Sequence, residues 1–331
     1  WKEIGTSCVH LPQTHAMVKL FRTILDLAAP DTLIITETNV PHDENVAYFG
    51  AGGDEAQMVY NFTLPPLLLH ALVKQDARIL SKWARGLAVP DRRNTFFNFT
   101  ASHDGIGVRP LEGILPESEI ALLTERVVHN GGRISYRTNP DGSQSPYELN
   151  ITYVDALKFP GPDDPYHAAR FLVSQAVALS LPGVPAVYIH SALGTRNWTE
   201  GVAQTGMARS INRSKVAVEE IKRRLNDPED LRAKIFHPYR EMIRIRRNQP
   251  AFHPNADSRV IDLDKRVFGV VRSAGDQRIL ALANLSDQSL SISPPGAVAR
   301  REMTDLFSRK KSATGAAIAL RPYQYAWLKA T

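Results

Sequence analysis

The sequence has few or none of the features that mark several classes of protein. Its 331 residues include a single cysteine, Cys8, so no disulfide can form within the chain, which fits a reducing, cytoplasmic compartment. No uninterrupted apolar run is long enough to span a bilayer. The first residues, Trp1 to Thr6, have neither an initiator methionine nor the pattern of a signal peptide, which predicts a start inside a structural element.

Signatures of metal and nucleic-acid binding are also missing. Neither an HExxH nor a CxxC motif occurs, so we expect no metal cofactor. The formal net charge is +6, from 40 Lys and Arg against 34 Asp and Glu. These basic residues are spread along the chain in helix-like or terminal stretches, where a solvated face is the usual explanation. We therefore expect neither a nucleic acid nor a membrane as a partner.

Two structural patterns divide the chain, and the first alternates strands with helices. Strands are predicted at 32–37, 57–62, 95–99 and 185–190, and helices at 15–27, 66–83 and 166–181. Successive units of this kind indicate a parallel sheet with helical crossovers. The polar insertion from Gly131 to Asn150 is expected to be a mobile loop at the mouth of a site.

The second pattern follows a basic, helical segment at 212–248. Short strands without intervening helices are predicted at 266–272, 278–285, 289–292 and 325–328, which indicates a small antiparallel β domain. A length of about 150 residues per domain also favours two domains. We therefore predict a first domain at 1–248 and a C-terminal β domain at 249–331.

Polar residues follow two of the predicted strands at their C-terminal ends, where α/β enzymes carry their chemistry. Glu37, with Asn39 and His42 after it, ends the first strand, and His103-Asp104 follows the third. A glutamate that ends an apolar strand is costly to bury unless it is used or paired. Two carboxylates at different strand ends suggest glycoside chemistry, in which one acid protonates the leaving oxygen and another stabilises positive charge. The alternatives are a helix cap or salt bridge for Glu37 and a tight turn for His103-Asp104.

Several motifs resemble those of one enzyme family. The segments Ile34 to Asn39 and Ser102 to Gly107 look like two signature regions of the alpha-amylase superfamily of retaining glycosidases and transglycosidases. The form His-Asp-Gly-Ile-Gly is similar to the sucrose phosphorylase subfamily. Ser145 to Asn150 and Arg209 to Arg213 also resemble that subfamily, and the combination of motifs is strongly specific.

This resemblance implies an α/β fold, namely an amylase-type (β/α)8 TIM barrel followed by a small antiparallel β domain. The four predicted units match barrel strands five to eight, so we expect a C-terminal fragment whose nucleophile lies upstream of Trp1. Glu37 matches the general acid and base of a retaining double displacement. His103 and Asp104 match the pair that holds the glucosyl hydroxyls, and Asp104 must stay ionised to favour an oxocarbenium-like state.

In a phosphorylase, inorganic phosphate replaces water as the acceptor, so the site needs cationic or hydroxyl donors. Arg209 and Arg213 are predicted to clamp phosphate, and Tyr147 and Glu148 to help rearrange the acceptor side. For each arginine the alternative is a structural ion pair.

The predicted function is therefore a sugar phosphorylase that cleaves an α-glucoside with phosphate and releases α-glucose 1-phosphate. Phosphate is the co-substrate, a small carbohydrate is the other partner, and no cofactor is expected. The insertion at 131–150 looks more like that of glucosylglycerate phosphorylases than that of sucrose phosphorylases. Two alternatives remain, an amylase-type hydrolase and a non-catalytic carbohydrate-binding relative.

Overall fold

The structure is a computed structural model that describes residues 3–6, 9–139, 141–161, 164–294, 296 and 302–330. Trp1 and Cys8, on which expectations about the N-terminus and disulfides depend, lie outside the described residues, as does Pro140 of the polar insertion. None of the helices in these ranges is both long and apolar enough to cross a lipid bilayer.

Helices and short strands alternate through the first part of the chain. In chain order they are α1 (Pro12–Ala28), β1 (Ile35–Thr36), α2 (His42–Val46), β2 (Met58–Tyr60), α3 (Leu64–Lys74), α4 (Arg78–Arg85), β3 (Thr95–Asn98), β4 (Ile106–Gly107), α5 (Glu117–His129), β5 (Arg133–Thr138), β6 (Gln144–Asn150), α6 (Tyr153–Ala156), α7 (His167–Ser180), β7 (Val184–Pro185), α8 (Ile189–Ala192), α9 (Thr199–Thr205), α10 (Val218–Leu225) and α11 (Leu231–Arg247). Short 3-10 helices lie at Ala47–Phe49, Arg109–Leu111, Ala208–Asn212 and Pro250–Phe252.

Within the described residues, four strands form a parallel sheet in the order β1, β2, β3, β7. Val59 pairs with Thr36 on one side and with Phe96 on the other, and Phe97 pairs with Val184. The predicted parallel sheet is therefore confirmed. Because its strands point the same way, the residues that follow each of them meet at one edge.

The helix predicted at 66–83 is wrong in one respect, because the chain forms two helices there. Gln75 ends α3 with a left-handed backbone, φ 52°. The carboxylate of Asp76 then accepts a hydrogen bond from the amide of Arg78 at 2.9 Å, where α4 begins. This local side-chain contact offers the backbone an alternative to a continuous helix.

The strand predicted at 185–190 is also wrong beyond its first residue. β7 ends at Pro185, and after one further hydrogen bond, from the amide of Ala186 to the carbonyl of Asn98 at 2.7 Å, the chain turns into α8 at Ile189. Pro185 has no N–H to donate to a neighbouring strand, so only the amide of Ala186 adds a hydrogen bond to β3 before the chain turns.

The expectation of a mobile loop at 131–150 is wrong in one respect, because most of this segment forms strands. β5 and β6 form an antiparallel hairpin there, and β4 pairs with the other edge of β6. The end of β6 is buried: Glu148, Leu149 and Asn150 are at most 3% exposed. Hydrogen bonds to β4 and β5 and a buried ion pair of Glu148 stabilise β6. Its polar composition therefore does not indicate a strand in the sequence.

The C-terminal part is antiparallel, as predicted. Its strands are β8 (Asp257–Ile261), β9 (Val267–Ala274), β10 (Gln277–Asn284), β11 (Leu290–Ile292), β12 (Met303–Asp305), β13 (Lys311–Ser312), β14 (Ile318–Leu320) and β15 (Tyr325–Ala330). In the residues that the structure describes, six of them form one sheet in the order β13, β12, β15, β10, β9, β8, and β11 pairs with β14. The domain boundary between 248 and 249 stays a prediction, because one apolar cluster contains buried residues from both sides of it.

Two arginines, Arg246 on α11 and the buried Arg272 on β9, donate to backbone carbonyls around the turn that precedes β7. Arg246 donates from Nη2 to the carbonyls of Gly183 at 3.1 Å and Phe252 at 2.9 Å, and Arg272 donates from Nη1 to the carbonyl of Ser180 at 2.9 Å. Burial lowers the pKa of both guanidinium groups to about 10. These contacts fix the turn from which β7 enters the parallel sheet.

Candidate active site

All seven residues that the sequence singled out as site residues line one cavity of about 440 Å³. They come from four places in the chain: the end of β1, the loop after β3, the hairpin of β5 and β6, and the 3-10 helix at Ala208–Asn212 with the residue after it. The predicted members are Glu37, His103, Asp104, Tyr147, Glu148, Arg209 and Arg213, and Asn39, Phe62, Gly105 and Gly107 complete the wall. The cavity lies at the carboxyl edge of the parallel sheet, where such folds place their sites.

Two arginines contact the carboxylate of Asp104. Its Oδ1 lies 2.9 Å from Arg209 Nη1 and 3.2 Å from Arg213 Nη2, and His103 Nε2 is 3.8 Å away. The Asp104 side chain is 22% exposed, so it faces the cavity while keeping both cations beside it. The two guanidinium groups therefore compensate the negative charge of this carboxylate at the cavity wall.

Glu148 is almost fully buried, with 3% of its surface exposed, and a single arginine compensates its charge. Arg209 binds it through two parallel hydrogen bonds, from Nε to Oε2 at 2.9 Å and from Nη2 to Oε1 at 3.0 Å. The hydrogen-bonded Glu148 carboxylate and, to a lesser extent, the charge of Asp104 raise the pKa of Arg209. Arg209 thus bridges the hairpin to the loop after β3, and the ion pair that was the alternative for this residue is present.

Arg213 is placed differently from Arg209. Its Nε donates to the carbonyl of His103 at 2.6 Å and its Nη2 to Asp104 Oδ1 at 3.2 Å. In the part of the chain that the structure describes, no hydrogen bond engages Nη1 of Arg213, whereas Nη1 of Arg209 lies in the ion pair with Asp104. Arg213 therefore offers the freer guanidinium edge to a ligand in the cavity.

Glu37 lies on the rim of the cavity. It is exposed, as is Ile35 of the same strand at 40%, so burial gives no support to a functional role for this carboxylate. The charge of Glu37 nevertheless acts on a residue of the neighbouring strand: burial and the Glu37 carboxylate together raise the pKa of Tyr60 on β2. The assignment of Glu37 as acid and base stays a prediction.

The two glycines of His-Asp-Gly-Ile-Gly lie in close contact with other segments of the chain. A Cβ on Gly105 would lie 2.6 Å from the carbonyl oxygen of Leu149, and one on Gly107 would lie 2.6 to 2.8 Å from the side-chain amide of Asn39. A larger residue would overlap the backbone of the hairpin at Gly105 and the side chain of Asn39 at Gly107. The motif glycines therefore allow the close approach of the hairpin and of the loop after β1.

Known proteins are similar to this chain over most of its length. The family model of the maltogenic amylase C-terminal domain matches residues 259–327. Glucosylglycerate phosphorylase of Escherichia coli (strain K12) is 47% identical over 330 residues, which cover 99% of this chain and 58% of the relative. Glucosylglycerate phosphorylase of Spirochaeta thermophila is 49% identical over 288 residues, 86% of this chain and 49% of the relative. The homologues of this chain are glucosylglycerate and sucrose phosphorylases of the alpha-amylase superfamily.

The fold agrees with these relatives. The crystal structure of sucrose 6F-phosphate phosphorylase from Thermoanaerobacter thermosaccharolyticum superposes with a TM-score of 0.73 at 21% identity, covering 97% of this chain and 58% of that one. The predicted amylase-type architecture is thus confirmed, and the four parallel strands form part of its barrel. The chain spans about half the length of the curated relatives it matches, 58% and 49%.

In this phosphorylase homologue, one residue noted in the sequence lies outside the cavity and one cavity residue was not predicted. His42, a candidate beside Glu37, packs between Trp83 and Phe96 outside the cavity, and burial lowers its pKa. Phe62 lines the cavity but was missed, and its place just after β2 was the available signal.

Asn212, which donates to carbonyls of the loop after β3, and Tyr188, which donates to the carbonyl of Asn212, were also missed. Both belong to segments that were noted for other reasons, the arginines of Arg209 to Arg213 and a predicted strand. In the described ranges, no group of three or more His, Cys, Asp or Glu side chains is placed to hold a metal ion.

Proposed function

We propose that the protein is a sugar phosphorylase, which transfers the glucosyl group of an α-glucoside to inorganic phosphate and releases α-glucose 1-phosphate. One observation carries this proposal: a single cavity gathers Glu37, Asp104 and two arginines at the carboxyl edge of a parallel sheet. Two relatives at 47% and 49% identity are named glucosylglycerate phosphorylase, so glucosylglycerate is the first donor to test and sucrose the second.

In the proposed double displacement, Glu37 first gives its proton to the glycosidic oxygen of the donor. The bond from the anomeric carbon to that oxygen breaks as an enzyme carboxylate bonds to the carbon. Ionised Glu37 then takes a proton from phosphate, whose oxygen displaces the carboxylate and restores the α configuration. Asp104 stays ionised in both steps and stabilises the positive charge that develops on the sugar.

Phosphate has to bind near the anomeric carbon with its charge compensated. Arg213 is 35% exposed and Arg209 is 39% exposed, and both line the same cavity. A planar guanidinium matches two phosphate oxygens at once. Since Arg209 already holds Glu148 and Asp104, phosphate binding at this residue requires exchange with one of these carboxylates. We propose no cofactor, because side chains and substrates carry every proton and electron pair in this scheme.

The test compares donors and acceptors in the full-length protein encoded by the gene. Glucosylglycerate and sucrose are each incubated with and without phosphate, and glucose 1-phosphate and free glucose are measured. We expect glucose 1-phosphate that depends on both donor and phosphate, and its loss in Asp104→Asn. Free glucose at an equal rate without phosphate would make the protein a hydrolase. Binding of either sugar without turnover would make it a carbohydrate-binding relative.

A further inference from the structure

The loop that carries Asp104 has little support from its own strand. β3 ends at Asn98, and residues 100–105 belong to neither a helix nor a strand. One local contact shapes the loop, a hydrogen bond from the amide of Asp104 to Ser102 Oγ at 3.1 Å. A carboxylate that stabilises a transition state must be held in place before the reaction begins. The position of Asp104 therefore depends on contacts from elsewhere in the chain.

Those contacts come from Asn212, at the end of the 3-10 helix Ala208–Asn212. Its Nδ2 donates to the carbonyl of Asp104 at 2.6 Å and to the carbonyl of Ser102 at 3.3 Å. Arg213 donates to the carbonyl between them, that of His103, at 2.6 Å. Three successive backbone carbonyls thus accept hydrogen bonds from two successive side chains, which fixes the turn before Gly105.

Asn212 is itself held from a third segment. The hydroxyl of Tyr188, after β7, donates to the carbonyl of Asn212 at 2.9 Å. Burial raises the pKa of Tyr188, so the hydroxyl remains a donor at neutral pH. Asn212 is 3% exposed and is absent from the wall of the cavity. Any effect of this side chain on a ligand must pass through the backbone of the Asp104 loop.

We infer that Asn212 is a positioning residue, which fixes the Asp104 carboxylate against the developing charge of the sugar, and that Tyr188 supports it. The inference rests on the proposed function, in which Asp104 stabilises an oxocarbenium-like state. It assigns a role to a buried amide that lies outside the wall of the cavity. Asn212 links the segments after β3 and β7, through its side chain to one and its backbone carbonyl to the other.

The test uses Asn212→Asp and Asn212→Ala in the full-length protein. Aspartate keeps the size of asparagine but replaces the donor with an acceptor against two carbonyl oxygens. The matched control is Asn94→Asp, because Asn94 is equally buried and donates to the carbonyl of Ala56 at 2.9 Å away from the cavity. A misplacement of about 1 Å at a reacting centre costs about a hundredfold in rate. We expect a loss of kcat of about that size in both Asn212 variants, little change in KM, and near-normal kcat in the control.

Ligand binding separates positioning from a general folding defect. The probes are a cationic glucose-shaped iminosugar, 1-deoxynojirimycin, and neutral glucose, both measured by calorimetry. A folding defect lowers the fraction of binding-competent protein and weakens both apparent affinities by the same factor, so a difference between the two probes reports on positioning. We expect the Asn212 variants to bind the iminosugar about tenfold more weakly, since its charge reports on Asp104, and to bind glucose as the wild type does. If the Asn212 variants bind each of the two probes as tightly as the wild type does, the inference is overturned.

Tyr188→Phe keeps the test decisive if the Asn212 variants do not fold. It removes one hydroxyl and leaves the ring, and we expect a three- to tenfold loss of iminosugar affinity, about the value of one hydrogen bond. Unchanged affinity in Tyr188→Phe would then refute the inference. If the wild type binds the iminosugar but shows no phosphorolysis, the proposed function fails while the positioning of Asp104 is still measured by binding.

Discussion

Arg209 and the buried Glu148 form a bidentate ion pair, with Nε and Nη2 of the arginine 2.9 and 3.0 Å from the two carboxylate oxygens. This pair fastens the end of β6 to the 3-10 helix at Ala208–Asn212, and through Nη1 of the same arginine to Asp104 at 2.9 Å. One guanidinium group therefore supports the hairpin and faces the cavity. The two roles can be separated by measuring stability and phosphate kinetics on the same variants.

The first prediction concerns the stability of this pair. Arg209→Ala leaves a carboxylate buried without a partner, so the free energy of unfolding should fall by about 1–3 kcal/mol. Glu148→Gln removes the buried charge, and Arg209→Ala should then cost much less in that background. Urea unfolding of the four proteins in a double-mutant cycle measures the coupling. Additive effects would show that the pair contributes nothing to stability.

The second prediction concerns phosphate. If Arg209 also binds the acceptor, Arg209→Ala should raise the apparent KM for phosphate about tenfold and shift the products from glucose 1-phosphate towards glucose. Arg137→Ala is the matched control, because Arg137 lies on β5 and pairs with Glu112 at 2.9 Å outside the cavity. Phosphate kinetics that stay normal in both variants would leave Arg209 with the structural role alone.

The third prediction tests Glu37 as the general acid. Glu37→Gln cannot protonate a leaving group, so turnover of natural donors should fall by about a hundred- to ten-thousandfold. α-Glucosyl fluoride needs no such proton, and its first step should be much less affected. The control is Glu219→Gln, whose side chain is 83% exposed on α10. The acid role is excluded if both donors lose the same factor.

The fourth prediction separates the charge of Asp104 from its packing. Asp104→Asn should abolish turnover, because the proposed contribution of this side chain is electrostatic. The melting temperature should change little, since both arginine partners are more than a third exposed and can be rehydrated. Differential scanning calorimetry beside the activity assay checks both statements. A variant with substantial activity would contradict the assignment.

Part of this structure is readable from the sequence because it depends on local pattern. Apolar runs predict β2 and β3 to within two residues at either end, and the polar residues after β1 and β3 predict where the cavity lies. Helical spacing predicts α7 to within one residue and α1 to within three at either end. Strand direction then brings the candidates together without any knowledge of side-chain contacts.

Other features depend on partners far along the chain, which a local pattern cannot show. β6 is polar, and its partners are β5 and the distant β4. The hydrogen bond from Asn212 to Asp104 spans 108 residues and ends on a backbone carbonyl, which has no sequence signature. The break between α3 and α4 depends on the left-handed backbone of Gln75. Glutamine has a high helix propensity, so the sequence gives no sign of a break there.

The fifth prediction uses the two motif glycines as a matched pair. A Cβ at Gly107 overlaps the amide of Asn39, whose Oδ1 has no hydrogen-bond partner among the described residues, so this side chain can rotate away. Asn39 lies two residues after Glu37, and Gly107→Ala should therefore lower kcat about ten- to a hundredfold with little loss of stability. At Gly105 the overlap is with the backbone carbonyl of Leu149, which cannot move without disturbing the hairpin.

Gly105→Ala should accordingly lower the melting temperature more than Gly107→Ala does, with overpacking costing about 1–3 kcal/mol. The cause of the Gly107 effect is checked in an Asn39→Ala background, where the overlapping amide is gone. There, Gly107→Ala should have almost no additional effect on kcat. If the losses of kcat caused by Asn39→Ala and Gly107→Ala instead multiply in the double variant, Gly107 acts on Glu37 by a route other than Asn39. The spacing argument for this glycine would then be wrong.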